Sequence, residues 1–299
     1  MNPLSSSSRA LVWHRSLPIL CLFLSWSAGG QPTASVRSAQ EAHSFAVEKH
    51  GQGSPVILIP GLGCSGAVWR HTVESLQTNH ECHVLTLAGF AGQPPTGSPL
   101  LDVVPKDLAK YITEQKLRQP ALLGHSMGGF LSLRTAAEFP QAVGPIIIVD
   151  SLPFFGGLQQ GATASNVQAT AEIIGKAMAN QSREQFLDYS KQALSRMVNS
   201  AADQKVALEW MSASDQKTVA VAFQGLFAAD LQPELPQIRS RALVIEAGAE
   251  PGAVPEGIFK AQYQGLRGVK LIRDPHARHF VMLDDPDFFL TTVKEFLDR

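Results

Sequence analysis

Short, unbroken apolar runs recur along the chain, each followed by a longer stretch of mixed polarity. They are Val56 to Ile59, Val84 to Leu87, Ala121 to Leu123, Ile146 to Val149, Ala242 to Ile245 and Val269 to Ile272. Runs that are continuous rather than alternating belong to strands covered on both faces. The segments between them are long enough for helical crossovers, and right-handed crossovers then generate a doubly wound, mostly parallel sheet. The fold class is α/β. A weaker alternation around Phe45 and Val47 predicts an antiparallel edge strand. After Pro286, the spacing of Phe289, Val293 and Phe296 predicts a closing amphipathic helix.

One connection is too long for a simple crossover. About ninety residues separate Val149 from Ala242, and a compact domain does not leave such a length as coil. Three apolar stripes read as helices: Val167, Ala171, Ile174 and Met178; Phe186, Tyr189, Ala193 and Met197; and Val219, Ala222, Phe223 and Leu226. Stripes of this kind are first of all packing surfaces. As an insertion, however, the helices would sit over the carboxyl ends of the strands, where open α/β sheets bind ligands. The expected organisation is a lead-in over 1–40, a first part of the core over 41–153, a helical cap over 154–235 and a second part of the core over 236–299.

The amino terminus bears on compartment. Residues 1–16 hold Arg9, His14 and Arg15 with no acid, Leu17 to Trp26 is apolar, and Ser27 to Gly30 are small. This is the pattern of a secretory signal peptide. Ten helical residues rise only ~15 Å, half a bilayer span, so no stable anchor is expected after processing. Export to a periplasmic or extracellular space is expected, and that permits disulfides. Cys64, past the carboxyl end of one strand, and Cys82, at the amino end of its neighbour, should nevertheless lie too far apart to pair. Two free thiols are expected.

A formal net charge of −1 offers no basic surface, which argues against a nucleic-acid partner. The chain has no H-E-x-x-H, no paired CxxC and no phosphate-cradling loop, so neither metal nor organic cofactor is expected. Catalysis would have to come from side chains. Gly124-His125-Ser126-Met127-Gly128 fits G-x-S-x-G between an apolar strand and the helix-forming stretch Phe130 to Phe139. A sharp strand-to-helix turn would strain the serine, lift its hydroxyl clear of the sheet and aim the first helical N–H groups at charge forming beside it.

A serine hydroxyl needs a base. His279 is the candidate, with His276 as its rival. His279 follows the last strand and abuts Phe280-Val281, which would fix its position. An oxyanion hole needs two donors, expected from the N–H groups of Met127 and of Leu62 in the loop Pro60-Gly61-Leu62-Gly63. His125 is expected to point away from the nucleophile and to serve structure.

The segments PGLGCSGAVW, LAGFAGQPP, GHSMGG, IVDSLPFF and RHFVMLDDP occur in this order, and with them residues 42–299 resemble the α/β-hydrolase superfamily, specifically esterase-like members with a helical cap. The resemblance implies a serine esterase acting on a small ester-like substrate, and the Ala, Met and Phe content of the cap points to an apolar one. Members that resemble dehalogenases and epoxide hydrolases use aspartate where this chain has Ser126, so acyl transfer to water is favoured. Carbon–carbon or lactone hydrolysis on the same residues, and a catalytically silent binding protein, are the alternatives. The chain departs from the family in two places. Pro60 stands where His is common, and the usual acidic position after Ala242 to Ile245 reads Glu246-Ala247-Gly248-Ala249-Glu250, without Asp. Asp150, fixed at a strand end, is the favoured partner for His279. Glu250 is the alternative acid and Asp274 the third choice.

Overall fold

Strand residues at alternate positions face opposite sides of a sheet, so an apolar run survives only where both sides are covered. That condition is met in the computed structural model, which describes residues 44–249, 251 and 253–298. Its strands are β1 (Phe45–His50), β2 (Ser54–Ile59), β3 (His80–Leu87), β4 (Ala121–His125), β5 (Ile146–Val149), β6 (Ala242–Ala247) and β7 (Lys270–Asp274). They form one seven-stranded sheet in the order β1-β3-β2-β4-β5-β6-β7. Every pairing is parallel except that of β1 with β3.

Ile57, Ile59, Ile146, Ile148 and Val244 point to one side of the sheet. There they pack with Val104 and Leu108 of α2 (Leu100–Glu114) and with Phe130 and Leu133 of α3 (Met127–Glu138). Their sequence neighbours Val56, Leu58, Ile147, Val149, Leu243 and Ile245 point to the other side. These pack with Leu76 of α1 (Arg70–Leu76), with Trp69, and with Phe289, Val293 and Phe296 of α10 (Pro286–Leu297). Each such side chain contributes ~1.5–3 kcal/mol on burial, which makes the two layers the main source of stability. β1 is one edge of the sheet, and its outer half, Glu48, Lys49 and His50, is charged or polar, which discourages edge-to-edge association.

Helices α4 (Ala164–Asn180), α5 (Arg183–Met197), α6 (Ala201–Ala213) and α7 (Gln216–Ala228) lie between β5 and β6. They are tied to loops at the carboxyl edge of the sheet. Ser214 Oγ donates to the Gly63 carbonyl, Asp215 N to that of Gly89, Gly92 N to that of Ala213 and Phe280 N to that of Met197. Two short helices complete the second part of the core, α8 (Ile258–Gln262) and α9 (Val281–Asp284).

The α5 stripe requires correction. Phe186 is buried, but the buried line continues through Ser190 and Leu194, while Tyr189 is 57% and Met197 38% exposed. Ser190 satisfies its hydroxyl on the Phe186 carbonyl at 2.8 Å, so a polar residue sits on the buried face and shifts the apparent register. α6 has no stripe to read, because Ala207 is its one fully buried position. Cys64 and Cys82 are buried free thiols. Burial pushes their pKa values up, to about 12 and about 11. The export signal and Glu250 lie outside the described residues. No described helix is long and apolar enough to cross a membrane.

Candidate active site

β4 ends in a turn that only its glycines permit. Ser126 has φ +53° and ψ −121°, a conformation rare for an L-residue, and is held there by its N–H bond to the Val149 carbonyl at 2.9 Å. A β-carbon on Gly124 would lie 2.2 Å from the Gly128 carbonyl oxygen, and one on Gly128 would lie 2.1 Å from that of Ile59. Both flanking glycines of the motif are therefore steric requirements. The Ser126 carbonyl accepts from the N–H groups of Gly129 and Phe130, which leaves the earlier Met127 N–H as one of the donors a helix start cannot satisfy within itself.

The loop after β2 comes up against this turn. A β-carbon on Gly61 would be 3.2 Å from Ser126 Cβ and 3.0 Å from His125 Nδ1. Cys64 N–H bonds to the Gly61 carbonyl at 3.2 Å, with Gly63 at φ +69°, which closes a tight turn with Leu62 and Gly63 at its centre.

β5 lies beside β4 and also ends in a residue of positive φ, Asp150 at +44°. Its N–H bonds to the Ile245 carbonyl, and its Oδ1 accepts from Ala247 N–H at 3.0 Å. Its Oδ2 lies 2.6 Å from His279 Nδ1, the short separation of a charge-assisted bond. The carboxylate is thus fixed from β6 on one side and bonds the imidazole on the other. His279 is anchored by its buried neighbours Phe280 and Val281, and its carbonyl oxygen lies 2.9 Å from His125 Nε2. That contact brings the loop after β7 to the residue preceding Ser126.

The other candidates are placed elsewhere. His276 is exposed, and its carbonyl accepts from Asn199 Nδ2. Asp274 is fully buried and spends Oδ1 on the N–H groups of His276 and Ala277, closing the turn that leads to His279. Glu246 lies 3.3 Å from Arg273, and burial raises its pKa despite that partner. Sequence reasoning missed the Ala247 N–H that holds Asp150, since a backbone donor leaves no side-chain signature. It also missed how α5 is fastened to the histidine loop. Arg278 Nη1 donates to the Ser195 and Val198 carbonyls, and Asp284 accepts from Asn199 N–H with Oδ1 and from Arg278 N–H with Oδ2. Among the described residues, no group of three or more His, Cys, Asp and Glu side chains is gathered to hold a metal ion.

The model of the alpha/beta hydrolase family matches residues 56–292, and the chain belongs to this family. It is 26% identical over 255 residues to N-formylmaleamate deformylase of Pseudomonas putida, covering 83% of this chain and 90% of that one. It is likewise 26% identical over 265 residues to the pimeloyl-[acyl-carrier protein] methyl ester esterase of Nitrosospira multiformis, covering 85% and 98%. Among solved structures, the enol-lactonase of Burkholderia xenovorans superposes with a TM-score of 0.72 at 18% identity, covering 85% of this chain and 96% of that one. These relatives are hydrolases, and the last likeness concerns the fold alone.

Proposed function

We propose that the protein is a serine hydrolase that cleaves an ester-like carbonyl substrate through an acyl-enzyme. Ser126 is the nucleophile, His279 the general base and acid, and Asp150 the carboxylate that orients the imidazole. The N–H groups of Leu62 and Met127 hold the oxyanion. His279 Nε2 takes the Ser126 proton as Oγ attacks the carbonyl carbon. The tetrahedral intermediate then collapses as His279 returns that proton to the leaving oxygen, and water repeats the cycle on the acyl-enzyme. The observation that carries this reading is the 2.6 Å contact of Asp150 Oδ2 with His279 Nδ1, because it fixes the tautomer that leaves Nε2 free to accept a proton.

An apolar substrate is supported by Met211, packed on the loop after β2, and by the aromatic side chains of the inserted helices. Met211 covers the oxyanion loop so closely that a β-carbon on Gly63 would be 2.5 Å from its Cε. Phe155, in the segment that leaves β5, meets Phe223 and Phe227 of α7 at 6.1 and 5.8 Å between ring centroids. Arg183, beside this region, is committed to the Met211, Ser212 and Ser214 carbonyls. The similarity to a deformylase over 83% of this chain favours a second reading, cleavage of a formamide C–N bond by the same residues.

Ser126→Ala should lower turnover of p-nitrophenyl esters by ~10⁴-fold or more. The wild type should label with a fluorophosphonate probe and the variant should not. Unchanged turnover in Ser126→Ala would overturn the serine mechanism, and absence of labelling in an inactive wild type would leave a binding protein. Parallel assays on methyl esters, lactones and formamides separate the bond types.

A further inference from the structure

The catalytic cycle leaves one buried polar side chain of the motif without a task. His125 is 1% exposed, and its Nε2 lies 2.9 Å from the His279 carbonyl oxygen. A carbonyl only accepts, so Nε2 carries the proton and Nδ1 holds a bare lone pair. That Nδ1 is buried and has no hydrogen-bond partner among the described residues. The ring lies against those of His279 and Phe280, each at a centroid distance of 4.6 Å. Burial, with His279 beside it, holds the His125 pKa well below the ordinary imidazole value, so the ring stays neutral.

Packing alone does not account for a histidine here. A phenylalanine would fill the same space without burying a nitrogen that no protein group meets, and such a nitrogen is a cost. What phenylalanine lacks is the Nε2–H donor. The recipient of that donor matters, because His279 stands on a loop between β7 and α9 rather than on a strand: the bonds of Arg278 and Phe280 N–H hold the residues on either side, and the His125 bond is the one made to the His279 carbonyl itself. Asp150 fixes the far side of the imidazole, and His125 fixes the main chain from which the imidazole hangs.

We propose that His125 is a positioning residue for His279, setting the height of the base between Asp150 and Ser126 through its hydrogen bond to the His279 carbonyl. The proposal rests on the serine-hydrolase reading above. A displacement of the base by a fraction of an ångström costs turnover while leaving substrate binding nearly unchanged.

Three substitutions separate the donor from the ring. His125→Phe keeps the ring and removes the donor, His125→Gln keeps a donor at the reach of Nε2, and His125→Asn is polar but too short. His125→Phe should lower kcat on p-nitrophenyl butyrate by about tenfold to a hundredfold with KM within about threefold of wild type. His125→Gln should recover most of that loss. Wild-type kcat in His125→Phe, or a Gln variant no better than the Phe variant, would overturn the proposal. If His125→Phe does not fold, the Gln and Asn variants decide. A Gln variant about tenfold faster than Asn supports the proposal, and equal rates overturn it. Ser126→Ala is measured alongside. Retained turnover there removes the serine reading and this proposal together, whereas its loss with an unaffected His125→Phe removes this proposal alone.

Discussion

Ser126 and Asp150 end adjacent strands, and both have a positive φ that side chains other than glycine seldom adopt. Each such residue costs roughly 1–3 kcal/mol and persists only where its surroundings hold it. Here the holding groups are the Val149 carbonyl for Ser126 and the Ile245 carbonyl with Ala247 N–H for Asp150. Asparagine also tolerates this backbone, so Asp150→Asn should fold normally. It would still present the wrong group to Nδ1, and kcat should fall by about 10⁴-fold. Glu250→Gln should leave kcat within about twofold, since one N–H has one partner. The reverse pattern in steady-state assays would move the acid to position 250. The candidate serine and histidine could be singled out because their chemistry demands neighbours that the sequence displays: glycines around one, an apolar anchor beside the other. The carboxylate was not uniquely legible. Acids occur near the ends of two adjacent strands, and only the bond from β6 to Asp150 distinguishes how firmly that carboxylate is held.

At the level of elements, the runs that became β2, β4, β5 and β6 were readable because both of their faces are buried. The apolar run of β3 begins only at Val84, because polar residues, His80, Glu81 and His83, interrupt its first half. His83 is nonetheless fully buried, with Nδ1 2.7 Å from the Tyr111 hydroxyl. The helix starts carried clear local signals: Thr163 with Asn166 and Ser182 with Gln185 form reciprocal caps. What could not be read was the buried face of α5, where a serine replaces an apolar residue. Two glycines illustrate how far element geometry constrains the chain. Gly128→Ala would drive a methyl group onto the Ile59 carbonyl, and it should cost at least about 3 kcal/mol or abolish folding. Gly225→Ala, inside α7, meets only Leu101 Cδ2 at 3.4 Å, and it should be neutral or stabilising by up to about 1 kcal/mol. Urea unfolding of the two variants checks both values. A Gly128→Ala protein as stable as wild type would refute the account of the turn.

For the whole molecule, burial of titratable groups on both sides of neutrality defines a pH window of stability. On the acid side, burial lowers the pKa values of His83 and His125 below 6.5. The unfolded chain therefore binds protons that the native state refuses, and stability falls as the pH drops below about 6.5. Asp284 and Glu246 act in the opposite sense, because burial raises their pKa values and the folded state takes up their protons more readily. Their compensation sets in as the pH falls through those raised native values, and it opposes the histidine effect there. On the alkaline side, Cys82 is raised from 9.0 to about 11, Cys64 from 9.0 to about 12 and Tyr111 from 10.0 to about 12, all chiefly by burial. The native state keeps these protons while the unfolded chain releases them. Stability conferred below pH 9 is thus lost as the pH rises through 9 toward 12. The unfolding midpoint should be flat between about pH 6.5 and 9 and decline on either side, and thermal melts across pH 5 to 10.5 would measure it. Cys64→Ala with Cys82→Ala should remove most of the decline between pH 9 and 10, because the unfolded thiols, with a reference pKa of 9.0, ionise about one pH unit before the unfolded tyrosine at 10.0. A wild-type midpoint constant to pH 10.5, or an alkaline limb unchanged in the double variant, would mean that the buried thiols do not set the upper edge of the window.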